Sequence, residues 1–250
     1  MHGYGPREVA RCFQTPQSGS HLKQLPELHT LSLDDTDVDD RGLQHLGSMT
    51  HLESLSLEFT IFTEASLRHL QPLTTLRELR LGSGATKDYG LGYIGKLTGL
   101  TSLGLSRTQV TDFGMEQIRN LLNLESLVLH STQITDDGLK HVGRMTKIKT
   151  LVLSTTEVTN HGLRHLKPLD SLKLLNVAKT KITSDGLTSL QGFTQLRSLD
   201  ISMTLVDDNG LQHLAGLTNL QRLNLANTRT TRTGRQQLQT ALPNLTITTD

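Results

Sequence analysis

Six histidines recur on one spacing: His21, His45, His69, His141, His165 and His213 lie 24 residues apart or at multiples of 24. Such a row raises the question of zinc. A zinc ion needs about four donors converging at about 2.0–2.1 Å, whereas equivalent residues on successive coils of a regular array stand ~4.8 Å apart or more. Tyr93, Gln117 and Ser189 also interrupt the row. These histidines read as partly exposed structural side chains that charge near neutral pH, not as ligands. The carboxylates Asp40, Asp88, Asp112, Asp136 and Asp208 share a second spacing. Repetition in coil after coil argues against an acid–base pair. It argues for helix starts, where Asp, Thr or Asn accepts from free amides, as in Thr111-Asp112, Thr135-Asp136 and Thr159-Asn160. A third row is hydroxylic: Thr36, Thr60, Thr108, Thr132, Thr156, Thr180, Thr204 and Thr228. No base stands at a fixed spacing from these, so they read as partners for backbone groups buried where the chain turns. There is no H-E-x-x-H, no glycine-rich phosphate loop and a single cysteine, Cys12. The expectation is a protein that is not an enzyme and needs no cofactor and no metal.

What positions these rows is a repeat. Leucine supplies 49 of 250 residues. The pattern L-x-x-L-x-L begins at Leu28, Leu52, Leu76, Leu100, Leu124, Ile148, Leu172, Leu196 and Leu220, each 24 residues after the last, with a shortened copy at Leu245, 25 residues on. The first part of each unit alternates with period two, as in Leu127-Val128-Leu129, and predicts a short strand. The second part has helical spacing, as in Leu163, Leu166 and Leu169, and predicts a helix of about ten residues. Strand and helix alternate, so the strands must be parallel. No unit buries its own apolar face, but stacked units do. Gly42, Gly90, Gly114, Gly138, Gly162, Gly186, Gly210 and Gly234 recur early in the helices, where glycine costs up to ~1 kcal/mol. Their recurrence predicts neighbouring backbones too close for a Cβ.

These units resemble leucine-rich repeats, over about nine-tenths of the chain. The T-D-x-G-L half is similar to that of F-box leucine-rich-repeat proteins and of bacterial leucine-rich-repeat proteins. The resemblance implies an α/β, right-handed solenoid, a horseshoe with a concave parallel sheet and convex short helices. Residues 1–18 are expected to be an N-terminal extension, flexible or capping, and residues 19–250 a single array of about nine units with a terminal cap. The function implied is a non-enzymatic interaction module that binds a protein or peptide on its concave face. The alternative is the substrate-recognition subunit of a ubiquitin ligase, or a bacterial effector, with any catalytic or F-box part supplied elsewhere.

Composition narrows the partner. The net charge is +1, aromatics are 3% and tryptophan is absent, which leaves neither a basic face nor a stacking platform for nucleic acid. No apolar run approaches the ~18 residues of a membrane span. The N-terminus has no secretory pattern, so a cytoplasmic monomer is expected. Two units break the pattern. Gly84 replaces the ladder threonine and Thr86 the inward valine in Gly82–Lys87, and Arg235 stands where a core leucine belongs. The strand positions facing outward vary from unit to unit, so a partner's contacts are expected there. They are acidic near Asp34, Asp35, Glu53 and Glu58, and basic at Arg80, Arg107, Lys149, Lys173 and Lys179. Small residues such as Gly104 and Ser106 between them should let a partner approach the backbone. The candidate contact residues are Glu58, Phe59, Arg80, Arg107, His130, Lys179 and Met203.

Overall fold

A computed structural model describes residues 28–83 and 86–249. The extension 1–18, Cys12, His21, and Gly84 of the irregular turn lie outside the described residues. The chain forms two compact halves, one up to Leu124 and one from Glu125. In the first, β1 (Thr30–Ser32), β2 (Ser54–Ser56), β3 (Glu78–Arg80) and β4 (Ser102–Gly104) pair in parallel. In the second, the same holds for β5 (Ser126–Val128), β6 (Thr150–Val152), β7 (Leu174–Asn176), β8 (Ser198–Asp200), β9 (Arg222–Asn224) and β10 (Thr246–Thr248). Every paired residue faces its counterpart 24 residues on. The last copy keeps this register although Leu245 comes one residue late: Thr246 lies opposite Arg222, and Ile247 takes the place of Leu223.

The central leucine of each strand, Leu31 through Leu223, is buried, and the flanking positions, Gly104 apart, are not. The helices that follow are shorter than expected. They run to seven residues or fewer, as in Asp40–Leu46 and Asp136–Val142, and Glu64–Leu70 and Ser184–Leu190 are 3-10 helices. Among the described residues only the terminal Arg232–Ala241 reaches ten residues. The apolar spacing explains the difference. Leu46, Met49 and Leu52 recur every three residues, and Met49 N–H donates to Leu46 C=O and Leu52 N–H to Met49 C=O. This i to i−3 bonding is a tighter winding than an α-helix, and it carries the chain back to the next strand.

The threonine row behaves as expected. Each hydroxyl is spent within its own coil, donating to the carbonyl three residues earlier: Thr60 to Leu57 at 2.6 Å, Thr132 to Leu129 at 2.8 Å, Thr156 to Leu153 at 2.6 Å, Thr204 to Ile201 at 2.6 Å. In the irregular turn, Thr86 is fully buried in the valine position and its hydroxyl only reaches Leu81 C=O at 3.5 Å.

The aspartate row differs from expectation. The capping side chains are Thr111, Thr135, Thr159 and Thr231, with Asp39 and Asp207 in two coils. The repeated aspartates sit one residue later and act between coils. Asp136 accepts from the Thr159 N–H at 2.8 Å and the Thr159 hydroxyl at 2.6 Å. Asp40 does the same for Thr63, Asp88 for Thr111 and Asp208 for Thr231. Asn160 serves Thr183 with its carbonyl and its amide. Each clamp holds the next coil's turn into its helix. The glycines make room for it. A Cβ on Gly162 would lie 2.3 Å from Asp136 Oδ1, on Gly114 2.4 Å from Asp88 Oδ1, and on Gly234 2.1 Å from Asp208 Oδ1. At these three glycines the close approach is thus to the preceding coil's clamp, not to its backbone, whereas Gly90 meets Leu67 Cδ1 at 2.7 Å.

Candidate interaction surface

The solvent face of the strands is less open than its small residues suggest. In the N-terminal half, Asp34 accepts from the Ser56 hydroxyl at 2.6 Å and the Glu58 N–H at 2.8 Å. The half-buried Glu58 lays its carboxylate over Gly82, where a Cβ would stand 2.6 Å from Oε1. Arg80 packs its stem over Gly104, with Cγ 3.4 Å from the Cβ position. Both glycines are buried. The expectation that Gly104 lets a partner approach the backbone is therefore corrected: like Gly82, it seats a long charged side chain of the coil before.

In the C-terminal half the same face is tied up by its own polar groups. His130 is half-buried, with Nδ1 2.8 Å from the Ser154 hydroxyl and Nε2 3.1 Å from that of Ser131. Asp200 accepts from the N–H and hydroxyl of Ser202 at 3.0 and 2.7 Å, and Asn176 and Asn224 each cap the N–H two residues on. These are turn-type side-chain bonds at the strand ends.

The most exposed candidate side chains lie just past the strands, on the row from which the sequence reading drew Phe59, Arg107, Lys179 and Met203; its left-handed backbone was not foreseen. Asp35, Phe59, Ser83, Arg107, Ser131, Thr155, Lys179, Met203 and Asn227 all have φ between 54° and 58°. None is glycine. The left-handed turn points these side chains away from the coil. Phe59 is 49% and Met203 52% exposed, and Arg107 and Lys179 are also exposed. Of the candidate residues, Phe59 and Arg107 flank Ser83 on one half's row, and Lys179 and Met203 are neighbours on the other's. Glu58 and Arg80 stand on the strand face beside the first pair, whereas His130 is held by its two serines.

Sequence reasoning missed Ile61 and Leu205, 65% and 50% exposed, two residues beyond Phe59 and Met203. The equivalent residues Gln109, Gln133, Glu157, Lys181 and Arg229 are polar, so a column-by-column comparison would have found them. It would also have found Tyr89 and Phe113, which meet edge to face at 6.1 Å and 70°. Histidines 45, 69, 141, 165 and 213 are half-buried. Burial and the neighbouring Arg68 push His69 below its ordinary pKa, against the pull of Asp40. Among the described residues no three His, Cys, Asp or Glu side chains gather to hold a metal ion, and no helix is long and apolar enough to cross a membrane.

Residues 59–249 match a family profile described as a leucine-rich repeat region. No curated protein matches. Among solved structures, the chain is similar to an internalin from Listeria monocytogenes at TM-score 0.65 and 22% identity, covering 92% of this chain and 76% of that one. It is similar to a leucine-rich repeat protein of Leptospira interrogans at TM-score 0.71 and 20% identity, covering 91% of this chain and 56% of that one. An internalin C2 from L. monocytogenes aligns at TM-score 0.59 and 21% identity over 97% and 92% of the two chains. The chain thus spans little more than half the length of the Leptospira protein.

Proposed function

Because the chain belongs to the leucine-rich repeat family, whose α/β solenoid its strands and short helices build, we propose that it is a non-enzymatic module that takes a protein or peptide partner. The contacts run along the left-handed row and the strand face beside it. One observation carries this reading: the row exposes side chains that vary from Phe59 to Arg107 to Lys179 to Met203 while the coil beneath them stays constant. Repetition in the threonine, clamp and histidine rows is accounted for by packing coil on coil. A varied, exposed row is free to match a partner, and aromatic and arginine side chains dominate interface energetics.

The test charge-reverses Arg80 and Arg107 together and separately replaces His141 and His165 by Gln, then measures the partner captured from a native extract by mass spectrometry. Loss in the arginine pair with full capture in the histidine pair is the expected result. The opposite pattern would move the surface to the helix side.

A further inference from the structure

Histidines of successive coils stand too far apart to share one ion, but one helix carries two. In Asn160–His165 the ring of His161 meets that of His165, four residues on, with centroids 5.5 Å apart and planes at 80°. Residues four apart share one side of a helix, and this is the spacing at which two histidines of one helix hold zinc. Of the eleven histidines in the sequence, no other two stand four residues apart. The residues that precede His45, His69, His141 and His213 by four are Arg41, Ala65, Asp137 and Asn209. Coil packing accounts for the repeated row. It does not account for His161.

His165 has a second peculiarity. Its Nε2 is buried and makes no hydrogen bond, and among the described residues no other buried side-chain nitrogen or oxygen is left so. In His213, by contrast, Nδ1 lies 3.2 Å from Gln191 Nε2. A buried ring nitrogen calls for a hydrogen-bond partner or a metal. The ring geometry fits the metal. With metal–nitrogen bonds of about 2.0–2.1 Å at a tetrahedral angle, the centres of two bound imidazoles stand about 5 Å apart. Small turns of the His161 side chain close the difference from 5.5 Å. That side chain is exposed and makes no hydrogen bond among the described residues.

Carboxylates flank the pair. Asp137 and Asp185 occupy the His161 position in the coil before and the coil after, and both are exposed. The hydrogen bond and charge of Lys140 hold Asp137 below its ordinary pKa against a burial effect, and the charges of His165 and His161 add to the pull. Lys140 thus keeps Asp137 engaged, at 2.5 Å, and among the described residues no third imidazole, thiol or carboxylate joins the pair to make a metal cluster.

We propose that His161 and His165 bind one divalent transition-metal cation, with zinc as the type case, through two imidazole nitrogens and with water filling the other positions. Imidazole suits zinc, copper and nickel, whereas magnesium and calcium favour oxygen. Two protein ligands make an exchangeable site, not a structural one of four. Protons compete for the same nitrogens, so acid must release the ion. The site lies on the helix side and stands apart from the partner reading above.

The experiment titrates the untagged full chain with zinc chloride, by calorimetry and by NMR of the imidazole side chains. The tightest site should take one ion per chain, and the rings of His161 and His165 should be the first to shift. His161→Gln should lower affinity about tenfold or more, because the second donor of a chelate acts at high effective concentration. His165→Gln should do the same, while His213→Gln should leave affinity within about twofold. Binding should weaken from about pH 7.5 to about pH 5.5, and magnesium should not compete. If His165→Gln fails to fold, as judged by thermal unfolding, the exposed His161→Gln and the ring shifts decide. Undiminished affinity in His161→Gln, first shifts at other histidines, displacement by equal magnesium, or no binding would each overturn the proposal.

Discussion

Replacing Asp136 by Ala removes the acceptor for two donors at once, the Thr159 N–H at 2.8 Å and the Thr159 hydroxyl at 2.6 Å. Hydrogen bonds to an ionised acceptor are worth about 1.5–3 kcal/mol each. Thr159 is half-buried and water recovers part of the loss, so the two together should cost about 2–3 kcal/mol. Gly162→Ala attacks the same device from the other side. Its Cβ would stand 2.3 Å from Asp136 Oδ1, so the carboxylate must swing away and break the same bonds. The helix gains about 1 kcal/mol from Ala over Gly, which leaves a net cost of about 1–2 kcal/mol. In the double variant the bonds are lost only once and the Cβ meets no carboxylate. It should therefore cost about 1–2 kcal/mol instead of the sum of about 3–5 kcal/mol, a coupling of about 2–3 kcal/mol. Asp136→Asn should cost less than about 1 kcal/mol, because Asn160 already performs this task for Thr183 with a carbonyl and an amide. Denaturant unfolding followed by far-UV circular dichroism, with unchanged slopes, gives each free energy. Additivity within about 0.5 kcal/mol would refute the idea that the glycine exists to seat the clamp.

Thr132→Val should cost about 1–3 kcal/mol by orphaning the Leu129 carbonyl, and Thr132→Ser should cost less; equal costs in a denaturant series would show that the hydroxyl is idle. Thr155 holds a β-branched side chain at φ 58°, so Thr155→Asn should raise stability by about 0.5–1 kcal/mol, and a lowered unfolding midpoint would contradict the strain. His69 is pushed below 6.5 by burial and Arg68. It stays neutral in the folded chain at a pH where the unfolded chain already binds the proton, so its contribution is full above 6.5 and declines as pH falls through the lower folded value. His69→Gln should flatten that part of the stability profile, and an unchanged profile would remove His69 as its source.

The stacking order was legible because leucine at period two and period three leaves few alternatives once 24 residues recur. The role of Asp136 was not. A cap and a clamp ask for the same carboxylate at the same point of the sequence, and the Thr159 it serves lies 23 residues away along the chain. The glycine row was read as a steric need, correctly, but its cause was assigned to backbone because a preceding carboxylate is invisible along one dimension. The row of Phe59 and Met203 was legible by position, but its left-handed backbone left almost no signal. Glycine and asparagine mark such turns, and of the nine positions only Asp35 and Asn227 have a side chain suited to one. Glu58 and His130 looked available because sequence shows that a position faces outward, not that Gly82 or Ser154 already engages it.

That row also bears on where specificity resides. A non-glycine residue held at positive φ costs on the order of 1–2 kcal/mol, and the array bears this in coil after coil. Local stability alone would fill the row with Gly, Asn or Asp. Seven of the nine positions hold something else, among them Phe59, Thr155 and Met203, which relieve none of the strain. The large apolar side chains at Phe59 and Met203 are also half in water, and Ile61 and Leu205 beside them are exposed as well, so burial does not repay the choice. The threonines, clamps and glycines can be derived from coil packing, and this row cannot. Its residues are not set by the coil, which is the condition that the proposed recognition surface must meet.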